Sequence, residues 1–299
     1  MFRSFNEIEK YLIHNQVNKR IVLCGSHDDI ALRALVRAKR LGFVSGILIG
    51  DNDKTAALLK EMGEPASDYT IIDETRETKA ASTAIKMVCS GEADLPMKGM
   101  IQTAPYLMAI QNPLENFVST DTLINEYTAF FFSEQERIVL MGDCAVNIAP
   151  NLEEKVKILK SLIALAKAFR CDEVKAAAVS IIEKPNPSVQ SSMDAKSLAG
   201  MDWGEGVFVD GPFALDNAID PEAARHKGIK SKVAGNADIL LMPDVHAGNV
   251  LHKAIHFFGH KPFASGALGA NYPIIMNSRT DDENAKFYSI MTGILQTLN

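Results

Sequence analysis

The sequence predicts an α/β protein with mainly parallel sheets. Short apolar runs alternate with amphipathic stretches about ten residues long or longer, an order typical of βαβ units. The composition, 47% hydrophobic and 23% charged, is that of a globular chain and argues against a disordered or fibrous one. The length of 299 residues exceeds most single cores, so it fits two α/β domains or one large one.

The first block of the chain opens with an amphipathic helix and then alternates regularly. Its strands are predicted at 20–26, 44–50, 69–73 and 93–99, and its helices at 28–41, 54–62, 77–89 and 103–110. Helical connections of this length are what parallel neighbouring strands require. This block therefore predicts a parallel sheet that helices cover on both faces.

The second block follows an irregular stretch at 112–121 and a predicted strand pair at 127–133 and 137–143. Asn151 and Glu154 have the spacing of a capping box, which predicts the start of a long helix. Further strands are predicted at 175–182, 206–210, 238–242, 262–268 and 272–276, and helices at 152–169, 191–199, 215–225, 247–258 and 281–298. The polar residues at 143–151 predict the domain boundary.

Composition also narrows the partners and the compartment. A net charge of −6 gives no reason to expect nucleic acid. We expect no membrane partner, because the N-terminus does not resemble a signal peptide and no apolar run would span a bilayer. The four cysteines are scattered without ligand spacing, which disfavours disulfides and a zinc ribbon and predicts a reducing cytoplasm.

A polar turn near the C-terminus is the leading candidate for a phosphate site. Thr280 and Glu283 have capping-box spacing, so the final helix is predicted to begin at Thr280. Asn277, Ser278 and Arg279 then lie between a strand and a helix start. Backbone N–H groups at the positive end of a helix, a hydroxyl and a guanidinium can hold phosphate. An ordinary turn with a surface arginine would show the same residues.

Polar residues also follow several other predicted strands. Ligands of open α/β sheets gather at the carboxyl ends of strands, so these residues are candidates for substrate binding. They are Lys98, Gly99, Asp143, Asn147, Glu183, Asp210, Asp216 and Asn249. Each carboxylate alone could be a helix cap. Together with the turn at Ser278 they predict a functional cleft.

Several other site types are disfavoured. The sequence has no G-x-G-x-x-G after the first strand, no P-loop and no G-x-S-x-G nucleophile elbow. His252, His256 and His260 recur every four residues and could bind a metal. Because Gly259 should end their helix and no carboxylate stands in register, we interpret them as a solvated or packed face and predict no metal site.

In order along the chain, these motifs resemble those of the phosphate acetyl/butyryltransferase family, and most closely its butyryltransferase branch. The resemblance rests on residues 97–99, 143–150, 209–218, 233–240, 243–250 with Lys253, and 277–279. It implies reversible conversion of acyl-CoA and phosphate to acyl phosphate and CoA. It also implies a homodimer of two-domain chains with an isocitrate/isopropylmalate dehydrogenase-like fold and a cleft between the domains, here 1–145 plus 277–299 and 146–276.

The resemblance further implies roles for individual residues. Ser278, Arg279 and Asp282 would be catalytic, with Ser278 stabilising an oxyanion and Arg279 holding phosphate. Gly235 joins the substrate-binding residues named above. CoA would be a substrate, and no cofactor is expected. Two positions depart from the acetyltransferase branch: Ala285 replaces a carboxylate suspected as the base, and Ile124 replaces an arginine.

These departures leave the base open and keep two alternatives in view. Asp281, Asp282 and Glu283 are the nearby substitutes for the base, and Lys98 or Lys184 could replace the missing cation. One alternative is a CoA-binding or acyl-CoA-binding protein without activity. The other is a metal-dependent NAD dehydrogenase of the same fold, which would need a metal-binding aspartate cluster.

Overall fold

The predicted alternation of strands and helices appears in the structure as two α/β units. The computed structural model describes residues 1–119 and 121–298. One unit, the terminal unit, consists of Phe5–Thr122 and Phe263–Asn299, and the other, the central unit, of Met1–Ser4 and Leu123–Pro262. Thr120, in the run that ends at Ile124, and Asn299, the end of the predicted first domain, lie outside the described residues.

The elements are numbered along the chain. The strands are β1 (Lys19–Cys24), β2 (Val44–Gly50), β3 (Thr70–Asp73), β4 (Leu95–Lys98), β5 (Asn125–Phe132), β6 (Arg137–Gly142), β7 (Val174–Val179), β8 (Val207–Phe213), β9 (Ile239–Leu241) and β10 (Phe263–Leu268). The α-helices are α1 (Phe5–His14), α2 (Asp29–Arg40), α3 (Asn52–Glu61), α4 (Glu77–Cys89), α5 (Thr103–Ile110), α6 (Leu152–Ala168), α7 (Gln190–Ala199), α8 (Leu215–Ile219), α9 (Pro221–His226), α10 (Val245–Phe257) and α11 (Glu283–Gln296).

The terminal unit is organised on a parallel sheet with the strand order β3-β2-β1-β4. Every residue of β4 is buried, as expected when helices cover both faces of a sheet. An isolated parallel bridge joins Met97 to Ile275, and the Lys98 N–H donates to the Ile275 carbonyl at 2.9 Å. The end of β4 and the segment leading to Ser278 therefore lie side by side.

Helix α11 is the central helix of the terminal unit. Its residues from Ser289 to Leu295 are all buried, and it packs against α2 and β10. Because seven consecutive residues cover every side of a helix, this part of α11 is buried all round and lies inside the core. The first turn of α11, and the residues immediately before it, are therefore held on a rigid element.

The central unit has a mixed sheet with the strand order β5-β6-β9-β7-β8. Strands β5 and β6 form the predicted antiparallel pair, and the remaining neighbours are parallel. The predicted capping box of α6 is confirmed: the Glu154 N–H donates to Asn151 Oδ1 at 3.0 Å, and the Asn151 N–H donates to Glu154 Oε2 at 2.8 Å. The α/β fold class is confirmed for both units.

Three predicted elements differ from the structure. The helix predicted at 215–225 is interrupted at Asp220, whose side chain caps α9 ahead of Pro221, because proline cannot donate a backbone hydrogen bond. The strand predicted at 272–276 is reduced to isolated bridges at Ile274 and Ile275. Strand β8 runs on to Phe213, so Asp210 lies inside the strand and not after it.

The chain passes from one unit to the other at 4/5, 122/123 and 262/263. The boundaries predicted from the sequence, 145/146 and 276/277, lie further along the chain. The hairpin of β5 and β6 belongs to the central unit because β6 pairs with β9. Strand β10 belongs to the terminal unit, where the Ser265 N–H donates to Ser289 Oγ on α11 at 2.9 Å.

Candidate active site

The turn that carries Ser278 is held by two buried polar residues. The Asp281 carboxylate accepts from the Ser278 N–H at 2.9 Å, and the Asp281 N–H donates to the Ser278 carbonyl at 3.1 Å. The Asn277 amide donates to Ser265 Oγ and Ser289 Oγ, each at 3.0 Å. The Asn277 side chain thus fixes the turn to β10 and α11, and the Asp281 side chain fixes the backbone of the turn.

The start of α11 differs from the predicted one. The helix begins at Glu283, and its N-cap is Asp282, whose Oδ1 accepts from the Ala285 N–H at 2.8 Å. The predicted start at Thr280 is wrong because Asp281 turns back to bond Ser278, which keeps residues 278–281 out of the helix. Thr280 instead bonds Ser278, with 3.0 Å between the two hydroxyl oxygens. Asp282, predicted to be catalytic, therefore also caps the helix.

Arg279 extends from this turn into solvent. Its side chain is exposed. Within residues 1–119 and 121–298 its guanidinium makes no hydrogen bond or ion pair. The fork of N–H donors is therefore free to bind an external anion such as a carboxylate or a phosphate.

Lys98 is a buried cation. Its side chain is only 2% exposed, and in the described part of the chain its ammonium has no hydrogen-bond or ion-pair partner. Burial lowers the pKa of Lys98 to about 8, helped by the positive charges of Lys286 and Arg279, while Asp28 and Asp281 oppose that shift. A buried ammonium in this condition is destabilising unless an anion joins it.

Lys98, Lys286, Arg279, Asp28 and Asp281 form a charged cluster, here called the Lys98 cluster. Its three cations outnumber its two carboxylates. These cations, together with the Ser278 hydroxyl and the start of α11, suit a phosphate group. Sequence motifs point to Lys98 and Arg279 but not to Lys286 or Asp28. Lys286 and Asp28 are distinguished by their burial, which no sequence motif predicts.

Gly99 has a structural reason to be glycine. A Cβ at position 99 would lie 2.4 Å from the Gly25 carbonyl oxygen, and the Gly99 N–H donates to the Cys24 carbonyl at 2.7 Å. The loops after β1 and β4 therefore approach each other backbone to backbone. This contact positions Lys98, while a direct role of Gly99 in substrate binding stays a prediction.

In the central unit, Asp143 organises its own loop. Its Oδ1 accepts from the Ala145 and Val146 N–H groups at 2.9 and 3.1 Å, and its Oδ2 accepts from the Asn147 N–H at 2.8 Å. The Asn147 side chain also donates to this carboxylate. The Asn249 amide donates to the Cys144 carbonyl at 3.1 Å. The structure brings Asp143, Asn147 and Asn249 together, and these contacts hold the loop on α10.

The close approach of α10 to this loop depends on Gly248, and we expect Gly248→Ala to be destabilising. Alanine gains about 1 kcal/mol over glycine inside a helix. However, its Cβ would lie 2.1 Å from the Asp143 carbonyl oxygen, and relieving such overpacking costs typically about 1–3 kcal/mol. Because the clash is with backbone, we expect the upper part of that range and a net destabilisation of about 1–2 kcal/mol, measured by urea unfolding.

Gly200→Ala is the matched control. The nearest atom to a Cβ at position 200 lies 3.6 Å away, which is an ordinary contact. This variant should unfold at the urea concentration of the wild type or slightly above it. A Gly248→Ala protein as stable as the Gly200→Ala protein would show that the loop and α10 do not need their close contact.

A second network in the central unit gathers Glu183, Asp216 and the backbone near Gly235. Glu183 Oε1 accepts from the Asn217 amide at 2.7 Å and from Lys227 Nζ at 2.6 Å. Lys227 also pairs with Asp216 at 3.3 Å, and the Gly235 N–H donates to the Asn217 carbonyl at 2.7 Å. The ion pair with Lys227 and the Asn217 bond lower the pKa of Glu183. These predicted residues are adjacent in space.

Asp210 belongs to neither network. It lines a cavity of about 400 Å³ together with Trp203, Phe208 and Lys232, and its Oδ1 accepts from the Gly211 N–H at 2.8 Å. Substrate binding by Asp210 stays a prediction.

The predicted histidine face is partly packed. His252 is buried, with its Nδ1 2.9 Å from Thr128 Oγ1. Among the residues that the structure describes, no group of three or more His, Cys, Asp or Glu side chains could hold a metal ion. Over the same ranges, the helices lack the combined length and apolar character of a membrane-crossing segment.

Comparison with known proteins identifies the family of this chain. The sequence profile of the phosphate acetyl/butaryl transferases matches residues 67–293. Phosphate butyryltransferase from Clostridium acetobutylicum is 34% identical over 298 residues, covering 99% of this chain and 98% of that protein. Phosphate acetyltransferase from Thermotoga maritima is 34% identical over 275 residues, covering 91% and 93%.

A solved structure agrees with the sequence comparisons. The branched-chain phosphotransacylase from Enterococcus faecalis V583 superposes with a TM-score of 0.83 and 25% identity, over 93% of this chain and 98% of that one. The fold and these relatives thus define an α/β enzyme that transfers acyl groups. The chain belongs to the phosphate acetyl/butaryl transferase family.

Proposed function

We propose that this enzyme transfers a butyryl or another short or branched acyl group between CoA and inorganic phosphate. The observation that supports the proposal is the buried Lys98 ammonium, which lacks a counter-ion in the described structure and lies in the same cluster as Arg279. The relatives include a phosphate butyryltransferase and a branched-chain phosphotransacylase. These names favour a four-carbon or branched acyl group.

The cations of the Lys98 cluster account for phosphate binding. Arg279 presents two parallel N–H donors to phosphate oxygens, and Lys98 adds a buried point charge. When a phosphate oxygen attacks the thioester carbonyl carbon, the carbon–sulfur bond breaks and CoA leaves as the thiolate. In reverse, the thiolate attacks the acyl phosphate and inorganic phosphate leaves.

Ser278 is the proposed donor to the oxyanion of the tetrahedral intermediate. Ser278 is partly exposed, Asp281 fixes the backbone of its turn, and its hydroxyl lies 3.0 Å from Thr280 Oγ1, so the residue that carries the donor is held in place before the reaction. Asp282 stays the predicted third catalytic residue and the candidate base for the CoA thiol. Its Oδ1 caps α11, so only Oδ2 would accept the proton.

The remaining expectations belong to this proposal. CoA is a substrate, and we propose no resident cofactor. In the central unit, we predict that the substrate contacts Glu183, Asp210 and Asp216. We predict the same of Asp143, Asn147 and Asn249. We also propose a cytoplasmic homodimer, which light scattering of the purified chain would test.

The proposed function is tested by assaying the purified protein against a panel of acyl-CoAs while following thiol release. We expect release that requires phosphate and is fastest with butyryl-CoA or a branched acyl-CoA. Tight CoA binding without phosphate-dependent release from any acyl-CoA would instead support a binding protein without activity. Activity that requires NAD and Mg²⁺ would support the dehydrogenase alternative.

The pKa of Lys98 predicts how phosphate binding depends on pH. In the free protein this pKa is about 8, and a bound anion raises it, so binding favours the protonated lysine. Affinity for phosphate should therefore fall as the pH rises above about 8. Calorimetry of phosphate binding between pH 7 and 9.5 measures this dependence. Affinity that stays constant or rises across this range would show that Lys98 does not bind the anion.

A further inference from the structure

Lys286 lies in an unusual environment for a lysine. It follows Ala285 in the first turns of α11, and its side chain is only 1% exposed. An ammonium at such a depth is stable only when it is paired and hydrogen-bonded. Its partners therefore show what the residue does.

Two partners hold the Lys286 ammonium. Its Nζ lies 3.6 Å from Asp28 Oδ2 and donates to the Ser278 carbonyl at 3.4 Å. Asp28 is itself buried, and its other oxygen caps α2 by accepting from the Ala31 N–H at 3.0 Å. One lysine on α11 thus connects the start of α2 to the turn that carries Ser278 and Arg279.

We infer that Lys286 is a positioning residue of the phosphate site, which fixes the Ser278 turn against Asp28 and supplies a second buried cation beside Lys98. This inference rests on the proposed function. The Ser278 carbonyl accepts from both the Lys286 ammonium and the Asp281 N–H, so the peptide plane between Ser278 and Arg279 is held in place. Loss of the lysine would leave Asp28 buried without the cation that faces it.

Lys286 also acts on Lys98 through charge. The charged groups that influence Lys98 are Lys286 and Arg279, which lower its pKa, and Asp28 and Asp281, which raise it. Removing the positive charge of Lys286 should therefore raise the pKa of Lys98. The range in which phosphate binds would extend to higher pH, even though binding at neutral pH becomes weaker.

The test uses Lys286→Met, which keeps the length of the side chain and removes its charge. We expect kcat/KM for phosphate to fall about 10- to 100-fold, because a hydrogen bond to a charged group is lost. We also expect the alkaline limb of its pH profile to move upward by about half a pH unit or more. Lys286→Arg should restore most of the activity and the wild-type limb.

Lys155→Met is the matched control, because Lys155 is a buried lysine paired with Asp194 at 2.7 Å in the central unit. It should lose stability but keep the wild-type pH profile. If Lys286→Met does not fold, the Asp28→Asn variant tests the inference in its place, because asparagine can still cap α2. Removing the negative charge of Asp28 should lower the pKa of Lys98 and so move the alkaline limb of the kcat/KM profile to lower pH.

The outcomes separate this inference from the proposed function. An inactive wild-type protein would count against the proposed function alone. An active wild type whose Lys286→Met variant keeps both kcat/KM for phosphate and the alkaline limb would overturn the positioning role. So would an unshifted limb in Asp28→Asn, or a Lys155→Met protein with the same alkaline shift.

Discussion

Arg279→Ala is expected to lose about 1,000-fold in kcat/KM for phosphate, because two charge-assisted hydrogen bonds worth about 4 kcal/mol together disappear. The substitution should lower the rate of turnover and leave the stability of the fold unchanged. The guanidinium is exposed and makes no hydrogen bond or ion pair in the part of the chain that the structure describes. Steady-state phosphorolysis of butyryl-CoA and thermal unfolding of the same sample measure the two effects.

Two variants make this result specific. Arg279→Lys keeps the charge but not the fork of donors, so we expect activity between those of the wild type and Arg279→Ala. Arg33→Ala removes an arginine of the same unit whose side chain is 43% exposed and pairs with Asp29. Its activity should be that of the wild type. Undiminished turnover in Arg279→Ala would remove Arg279 from the mechanism.

Lys98→Met is expected to have opposite effects on activity and on stability. Removing the buried ammonium should weaken phosphate use about 100-fold, the effect of losing a charge-assisted hydrogen bond of about 3 kcal/mol. The same change should raise the free energy of unfolding without ligand. The fall of the Lys98 pKa from its usual 10.5 to about 8 corresponds to a penalty on the order of 3 kcal/mol for the charged form.

The pH dependence of this stability has a definite sign. Below pH 8 the lysine is protonated in both the folded and the unfolded chain, so the penalty is fully present. Between about 8 and 10.5 the folded chain releases the proton first, and the wild type gains stability as pH rises. Lys98→Met should lack that gain. Urea unfolding at pH 7 and pH 10 measures it, and a variant less stable than the wild type at pH 7 would contradict an unpaired Lys98.

Sequence patterns predicted most of the elements that are visible as periodic runs. The alternation at 20–110 corresponds to the parallel sheet of the terminal unit, and Asn151 with Glu154 caps α6 as expected. The errors arose where a local motif competed with a longer-range bond. Thr280 and Glu283 have capping spacing, but Asp281 bonds the Ser278 backbone, so Asp282 becomes the cap.

Only part of the candidate site could be predicted from the sequence, for a related reason. Arg279 and Lys98 stand in short motifs next to glycine or serine, which a sequence shows directly. Lys286 stands between Ala285 and Phe287, as many surface lysines do, and nothing local distinguishes it. Only the packing of α11 against α2 shows that Lys286 is buried against Asp28. A pairing between residues this far apart in sequence requires tertiary structure.

The most direct test of the account is phosphorus NMR of the purified protein with butyryl-CoA and inorganic phosphate, alongside a thiol assay. We predict that an acyl phosphate signal appears at the rate of thiol release and in equal amount, and that adding CoA reverses it. The Arg279→Ala and Lys98→Met proteins should produce almost none. Thiol release that leaves the phosphate signal unchanged would mean that water accepts the acyl group, and would contradict acyl transfer to phosphate.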